Sequence, residues 1–508
     1  METAVDVVVI GVLVLAVSAG ARRVGLPGPL ALLVVGMGVS LVPRAPSVEL
    51  TPDLVLLGLL PPLLYNAAIR TVLVDVRRDA RAIGMLSVGL VLFTTVGVGV
   101  VAWWLLPVSF AAALALGAVV APPDAVAATT VARQVGMPRR VVSVLEGESL
   151  LNDATALVAL RAAIAALGGT VTLGWLGQQV LLSAVGGAVV GVAVAFAVAK
   201  VRRHVDDTLT DVGLSLVTPW LAYLPAEHFH ASGVLAVVIA GLIVGHASPA
   251  IQSAQSRLLE GTNWATIGFV LEGAVFLLIG LQLRTILGNV ADAGVPALTI
   301  ALATAGVFAA TVVLRMAWVS AAWGARLLRA PGDAALGGRE LLVVGWAGMR
   351  GVVTLAAVFL LPVDTVHRDV LVFIAFAVTV LTLTVQGLTL PWLTRRLGVR
   401  GPGFHEDLLQ QASVYQRAVQ AGHDRLEAMA QAAAVAEMVE AREGRADADR
   451  GHRDARAPQH GADDVRRGAT HRGATVGRLG AVHAASSRRA IVHQPHPRAR
   501  AAPCVLPC

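Results

Sequence analysis

Residues 113–131 read ALALGAVVAPPDAVAATTV. The stretch is apolar and long enough to cross a bilayer, which takes about 20 helical residues. Yet Pro122, Pro123 and Asp124 stand at its middle. Neither proline can donate a backbone hydrogen bond, and each ring clashes with the preceding turn. At membrane depth, carbonyls freed in this way are tolerated only inside protein or beside a watery cavity. A proline kink would account for the prolines alone. A carboxylate directly after them argues for a helix broken beside a polar cavity.

A second interrupted segment lies at residues 341–360, LLVVGWAGMRGVVTLAAVFL. Gly345, Gly348 and Gly351 weaken the helix at mid-span, and Arg350 sits among them. Small residues also serve close helix packing. An arginine within a glycine run is nevertheless a poor lipid-facing surface, so Arg350 is expected to face the protein interior.

The rest of the chain supplies the setting. Of 508 residues, 56% are hydrophobic and 14% charged, whereas soluble domains average about a quarter charged. Thirteen apolar segments lie near 5–21, 26–43, 52–69, 82–105, 109–132, 141–167, 173–199, 207–225, 231–248, 263–283, 295–325, 340–361 and 370–393. The weakest is 207–225, with Asp207, Asp211 and Pro219. The start of the chain lacks the positive region of a signal peptide, since Glu2 and Asp6 precede Arg22 and Arg23. With thirteen spans, nineteen Lys and Arg residues, Arg202 among them, fall on one side of the membrane. Only Arg44, Arg284 and Arg368 fall on the other. The positive-inside rule then puts the N-terminus outside and the C-terminus in the cytoplasm. The net charge of +7 is read as topology rather than nucleic-acid binding. The two broken spans are the middle members of spans four to six and eleven to thirteen, and they run in opposite directions. That is the pattern of an inverted repeat with two discontinuous helices meeting at the midplane.

The sixth segment contains EGESLLND, residues 146–153. Asp153 lies 12 residues beyond Val141, about 18 Å along a helix and near the middle of a ~30 Å hydrocarbon layer. Asp124 has similar depth, so the two carboxylates form a candidate cation site that can also take a proton. Ser149 and Asp153 share a helical face, with Glu146 on the same side. Glu148 lies five residues before Asp153 and points about 140° away. Unpaired charge at this depth is costly. The expected pairing is Glu148 with Arg350, which leaves Asp153 free to titrate. Arg161 is an alternative donor, placed near the outer interface. Glu272, in LEGAVFLLIGLQL, is either a second partner for Arg350 or a pathway residue.

EGESLLNDATALV, APPDAVAA, LEGAVFLLIGLQL and GWAGMRGVVTLAA resemble the signature segments of the monovalent cation/proton antiporter-1 family, in its bacterial sodium/proton exchanger branch. The resemblance covers about residues 5–400. It implies an all-α polytopic fold of thirteen helices with inverted repeats and two discontinuous crossing helices. It further implies a homodimer in the bacterial plasma membrane, working by alternating access of a mobile core domain. By matching position, Asp153 resembles the carboxylate that binds either Na⁺ or a proton. Asn152 resembles its neighbour, and Ser149 a contributing ligand. Glu148 and Arg350 resemble a structural ion pair. Two departures stand out. Pro123 occupies a position where relatives carry threonine, and Asn66, in LLPPLLYNAAI, one where many carry an acid.

Competition of one cation and one proton for one carboxylate predicts electroneutral exchange, serving pH and sodium homeostasis. The cation is Na⁺, with Li⁺ and K⁺ as alternatives. A cation channel, or an ion or pH sensor that keeps a transporter fold, is the competing class. No nucleophile triad, phosphate loop or metal-ligand cluster is evident in the spans, so neither enzymatic activity nor a resident cofactor is expected. Three regions follow from composition: the transmembrane domain at 1–400, a cytoplasmic helical segment at 401–447, and a basic tail at 448–508. The tail is rich in Arg, His, Gly and Ala without apolar periodicity. It reads as disordered and as the product of a frameshift in a GC-rich gene. Both cysteines, Cys504 and Cys508, lie in it.

Overall fold

The computed structural model describes residues 2–42, 54–124, 128–129, 131–132, 135–169, 173–325, 337–399 and 404–454. The elements formed by these residues are helices. They are α1 Glu2–Val24, α2 Gly28–Ser40, α3 Leu60–Arg70, α4 Leu73–Arg78, α5 Ala80–Leu105 and α6 Phe110–Val120. Next come α7 Arg139–Leu167, α8 Leu173–Arg202, α9 Thr208–His228, α10 Gly233–Ile251, α11 Ala254–Leu281 and α12 Leu283–Ala291. The series ends with α13 Ala297–Gly324, α14 Gly338–Trp346, α15 Val352–Val358, α16 Arg368–Leu397 and α17 Phe404–Asp454. The chain divides into two compact units, one ending at Ala412 and the other beginning at Ser413. α17 runs from Phe404 to Asp454, so residues 448–454, expected to belong to the disordered tail, are helical, and residues 455–508 lie outside the described residues.

Each of the thirteen apolar segments contains helix. Among the described residues, seven helices are long and apolar enough to cross a membrane by length and composition. Local sequence sets several helix starts. Ser109, Asp207, Ser232 and Ser253 cap α6, α9, α10 and α11 by accepting a backbone N–H of the first turn, the usual role of short polar side chains there. A positive-φ glycine, Gly398, closes α16. Within the first unit the buried apolar residues form one main core: α2 packs on α11, α8 and α3 on α10, and α5 on α6 and α13.

The acids that make the eighth segment weak have local roles. Asp207 caps α9 through Thr210. Asp211 joins a buried ion network with Arg202 and Glu260. Arg202 Nη2 donates to Glu260 Oε1 at 3.0 Å, and its Nε lies 3.4 Å from Asp211 Oδ1. Gln252 Nε2 donates to both acids, at 2.9 and 2.8 Å. Ser215 donates its hydroxyl to Glu260 and accepts from Trp264 Nε1. Arg202 therefore needs correction as a loop cation. It is 1% exposed, because two acids from neighbouring helices neutralise it where water does not reach. Arg161 pairs with Glu227 at 2.9 Å in a partly exposed site and is no partner for the EGESLLND acids.

Candidate ion-binding site at two crossing chain breaks

α6 ends at Val120, and the chain passes through Ala121, Pro122 and Pro123 without helical structure. α14 ends at Trp346, and residues 347–351 are likewise non-helical before α15. The two breaks touch: Asp124 N–H donates to the Met349 carbonyl at 2.7 Å. Side chains from neighbouring helices meet other polar groups freed by the breaks. Asn152 Nδ2 donates to the Pro123 carbonyl at 2.8 Å. Arg350 N–H donates to Thr382 Oγ1 at 3.1 Å. Proline chemistry and glycine spacing thus open the helices, and tertiary contacts satisfy the exposed backbone as the bilayer requires.

The glycines of the second break provide space as well as weak helix propensity. A Cβ on Gly351 would overlap the Asp124 carboxylate, and one on Gly348 would overlap the Arg315 side chain. Gly351→Ala is expected to displace Asp124. Overpacking of this kind costs about 1–3 kcal/mol, so thermal stability in detergent should fall. An unchanged melting temperature would mean that the Asp124 carboxylate is free to move away from Gly351.

A cavity of about 410 Å³ opens beside the crossing. Asp124, Asp153, Ser149, Glu146, Glu272 and Asn66 line it, with Pro122 and Pro123 forming part of its wall. They come from the α6 break, α7, α11 and α3, so segments distant in sequence converge on one space. Asp153 is 6% exposed, faces this cavity, and has no hydrogen-bond or ion-pair partner among the described residues. Asp124 lies close enough to interact electrostatically with both Asp153 and Glu272. Carboxylates brought together in a buried space repel, and a bound cation or proton relieves that repulsion. Asn152 is fully buried, and its amide holds the broken chain rather than lining the cavity. Thr129 also lines the cavity. A hydroxyl is therefore present although Pro123 supplies none. The Thr129–Thr130 pair after the break is the sequence signal for it.

Glu148 and Asp153 diverge as their helical spacing requires, but the partner expected for Glu148 needs correction. Its carboxylate pairs with Arg315 of α13, not with Arg350. Arg315 Nη2 meets Glu148 Oε2 at 2.9 Å while Nη1 meets Oε1, with both side chains 1% exposed. Arg315 also donates to the Val344 and Gly345 carbonyls near the C-terminal end of α14, at 3.1 and 3.2 Å. One planar guanidinium thus neutralises an acid and caps a broken helix, a task its fixed donor fork suits. Arg350 is equally buried and lies within electrostatic reach of both Arg315 and Glu148, but its Nε and Nη1 have no hydrogen-bond partner among the described residues. The signal for Arg315 is present in sequence: a lone arginine in TVVLRMAW has the same need for an internal anion as Arg350. Glu272 makes no ion pair with Arg350. It stands on the cavity wall.

Two broken helices crossing beside carboxylates in a membrane-embedded cavity define a secondary transporter of the inverted-repeat class. The chain belongs to the sodium/hydrogen exchanger family: the transmembrane sodium/hydrogen exchanger model matches residues 9–396. It is a multi-pass membrane cation/proton antiporter. An uncharacterized Na⁺/H⁺ exchanger of Mycobacterium tuberculosis is 34% identical over 448 residues, covering 84% of this chain and 81% of that protein. A sodium, potassium, lithium and rubidium/H⁺ antiporter of Bacillus subtilis is 28% identical over 73% of this chain and 58% of its own length. In fold, the chain is similar to the sodium proton antiporter MjNhaP1 of Methanocaldococcus jannaschii. The TM-score is 0.62 at 18% identity, covering 78% of this chain and 99% of that structure.

Proposed function

We propose that this antiporter exchanges one Na⁺ for one H⁺ at Asp153, by alternating access and without net charge movement. The observation that carries the reading is the buried Asp153 carboxylate, which faces the cavity with no partner among the described residues. Ionised, it binds the cation; protonated, it releases it. Ser149 and Asp124 supply further oxygens around the ion, and Asn152 fixes the broken chain beside it. Coupling follows if only the cation-loaded and protonated forms cross between the two orientations. Glu148 and Arg315 form the structural ion pair that holds α7, α13 and α14 together during that movement.

The protein works as a homodimer in the bacterial plasma membrane, with its N-terminus outside. The helical segment after residue 400 and the tail lie in the cytoplasm. Li⁺ and K⁺ are candidate alternative substrates, a breadth that the name of the B. subtilis relative supports. The physiological role is pH and sodium homeostasis.

The test is exchange in proteoliposomes with an imposed pH gradient. Added Na⁺ is expected to dissipate the gradient at a rate unaffected by clamping the membrane potential. The half-saturating Na⁺ concentration should rise as pH falls, because protons occupy the same carboxylate. A rate that follows the clamped potential would reject one-for-one exchange. Na⁺ flux uncoupled from protons would favour a channel.

A further inference from the structure

The proposed site leaves Glu272 without a task. Glu272 lies in α11, on the same cavity as Asp153 and Asp124. Among the described residues it has neither a hydrogen bond nor an ion pair. It interacts electrostatically with Asp124, which in turn interacts with Asp153. Asp124 therefore links an acid from α7 to one from α11.

The neighbouring wall shows what Glu272 adds. Asn66 of α3 lines the same cavity, and its Oδ1 is buried without a hydrogen-bond partner among the described residues. The Asn66 amide packs against α11 at Gly268, where an added Cβ would overlap it. Gly268 is one helical turn before Glu272 and thus on the same face of α11. α3 supplies a neutral oxygen to this corner of the cavity, and α11 supplies a negative charge one turn away.

Further along α11, at four-residue intervals that drift gradually around the helix, stand Trp264 and Glu260. Trp264 packs against Tyr65 with ring centroids 5.2 Å apart and donates to Ser215. Glu260 is held by Arg202, Ser215 and Gln252. This anchoring fixes the rotation of α11 and directs Glu272 at the cavity. The buried Asp153, aimed without a partner into the same space, supplies the independent sign that the cavity takes a cation.

We infer that Glu272 is a second carboxylate of the cation site, supplied by α11 beside the neutral Asn66, and that it sets cation affinity and discrimination. The inference rests on the reading of Asp153 as the exchanging group. A negative Glu272 strengthens cation binding, and one-for-one exchange is preserved when its protonation is the same in both orientations. A second negative charge favours a small, strongly attracted ion over a larger one.

The experiment compares Na⁺, Li⁺ and K⁺ titrations of Glu272→Gln with the unmodified antiporter in proteoliposomes. Loss of one nearby charge is expected to raise half-saturating Na⁺ about tenfold and to reduce preference among cations. Asn66→Asp added to Glu272→Gln returns a carboxylate to the same corner and is expected to restore much of the affinity. An unchanged half-saturating concentration and cation preference in Glu272→Gln would overturn the inference. So would a double variant no better than the single one. If Glu272→Gln does not accumulate, the double variant decides: near-normal affinity supports the inference, and failure to accumulate or weak binding overturns it. Exchange surviving in Asp153→Asn would instead overturn the underlying reading.

Discussion

Asp153→Asn is expected to abolish cation-driven proton movement while leaving folded antiporter in the membrane. The amide is nearly the same size as the carboxylate, so packing around this buried position survives. What it loses is charge. A neutral amide neither exchanges a proton near physiological pH nor offers the cation a full negative partner. In everted vesicles, addition of Na⁺, Li⁺ or K⁺ should leave an established pH gradient at background decay. Retained exchange would remove Asp153 from its role. Glu148→Gln is the informative comparison, because that acid is just as buried but faces Arg315 instead of the cavity. Its main loss should be stability.

Arg315→Ala is expected to cause the largest loss of folded protein. It strands the Glu148 carboxylate at a site 1% exposed and frees the Val344 and Gly345 carbonyls that Arg315 accommodates. Breaking a buried pair by removing one partner costs roughly 3–5 kcal/mol, a large share of typical stability. Membrane abundance and thermal stability in detergent should both fall sharply. A double change, Glu148→Gln with Arg315→Met, should be less damaging than the sum of its singles, since it leaves no uncompensated charge. Arg350→Ala should cost less than Arg315→Ala, because Arg350 does not hold Glu148. If Arg350→Ala proved the more damaging, the Glu148–Arg350 pairing expected from sequence would be reinstated.

Much of the architecture is legible before folding is considered. Pro122 and Pro123 cannot continue a helix, and the Gly345–Gly351 run weakly supports one, so both interruptions can be read directly. The span pattern follows from lengths of apolar sequence, and the spacing of Glu148 and Asp153 assigns them to different helical faces. The site is legible less completely. Arg315 and Arg350 are both isolated arginines in apolar segments, and each satisfies the same solvation argument. Glu272 looks equally suited to an ion pair or a pathway. Arg202 reads as the positive end of a span, although it turns inward to Asp211 and Glu260.

By itself the sequence determined a membrane-embedded helical chain, two broken helices, and which charges must be reconciled with an apolar interior. The reason is local: missing N–H groups, weak helix formers and the cost of burying charge belong to individual residues. Only the tertiary structure decided which charges meet. Glu148 and Arg315 are 167 positions apart, and their pairing depends on the rotation and crossing of α7, α13 and α14. The same packing places Asp153, Asp124 and Glu272 around one cavity. No spacing within a single helix contains that information.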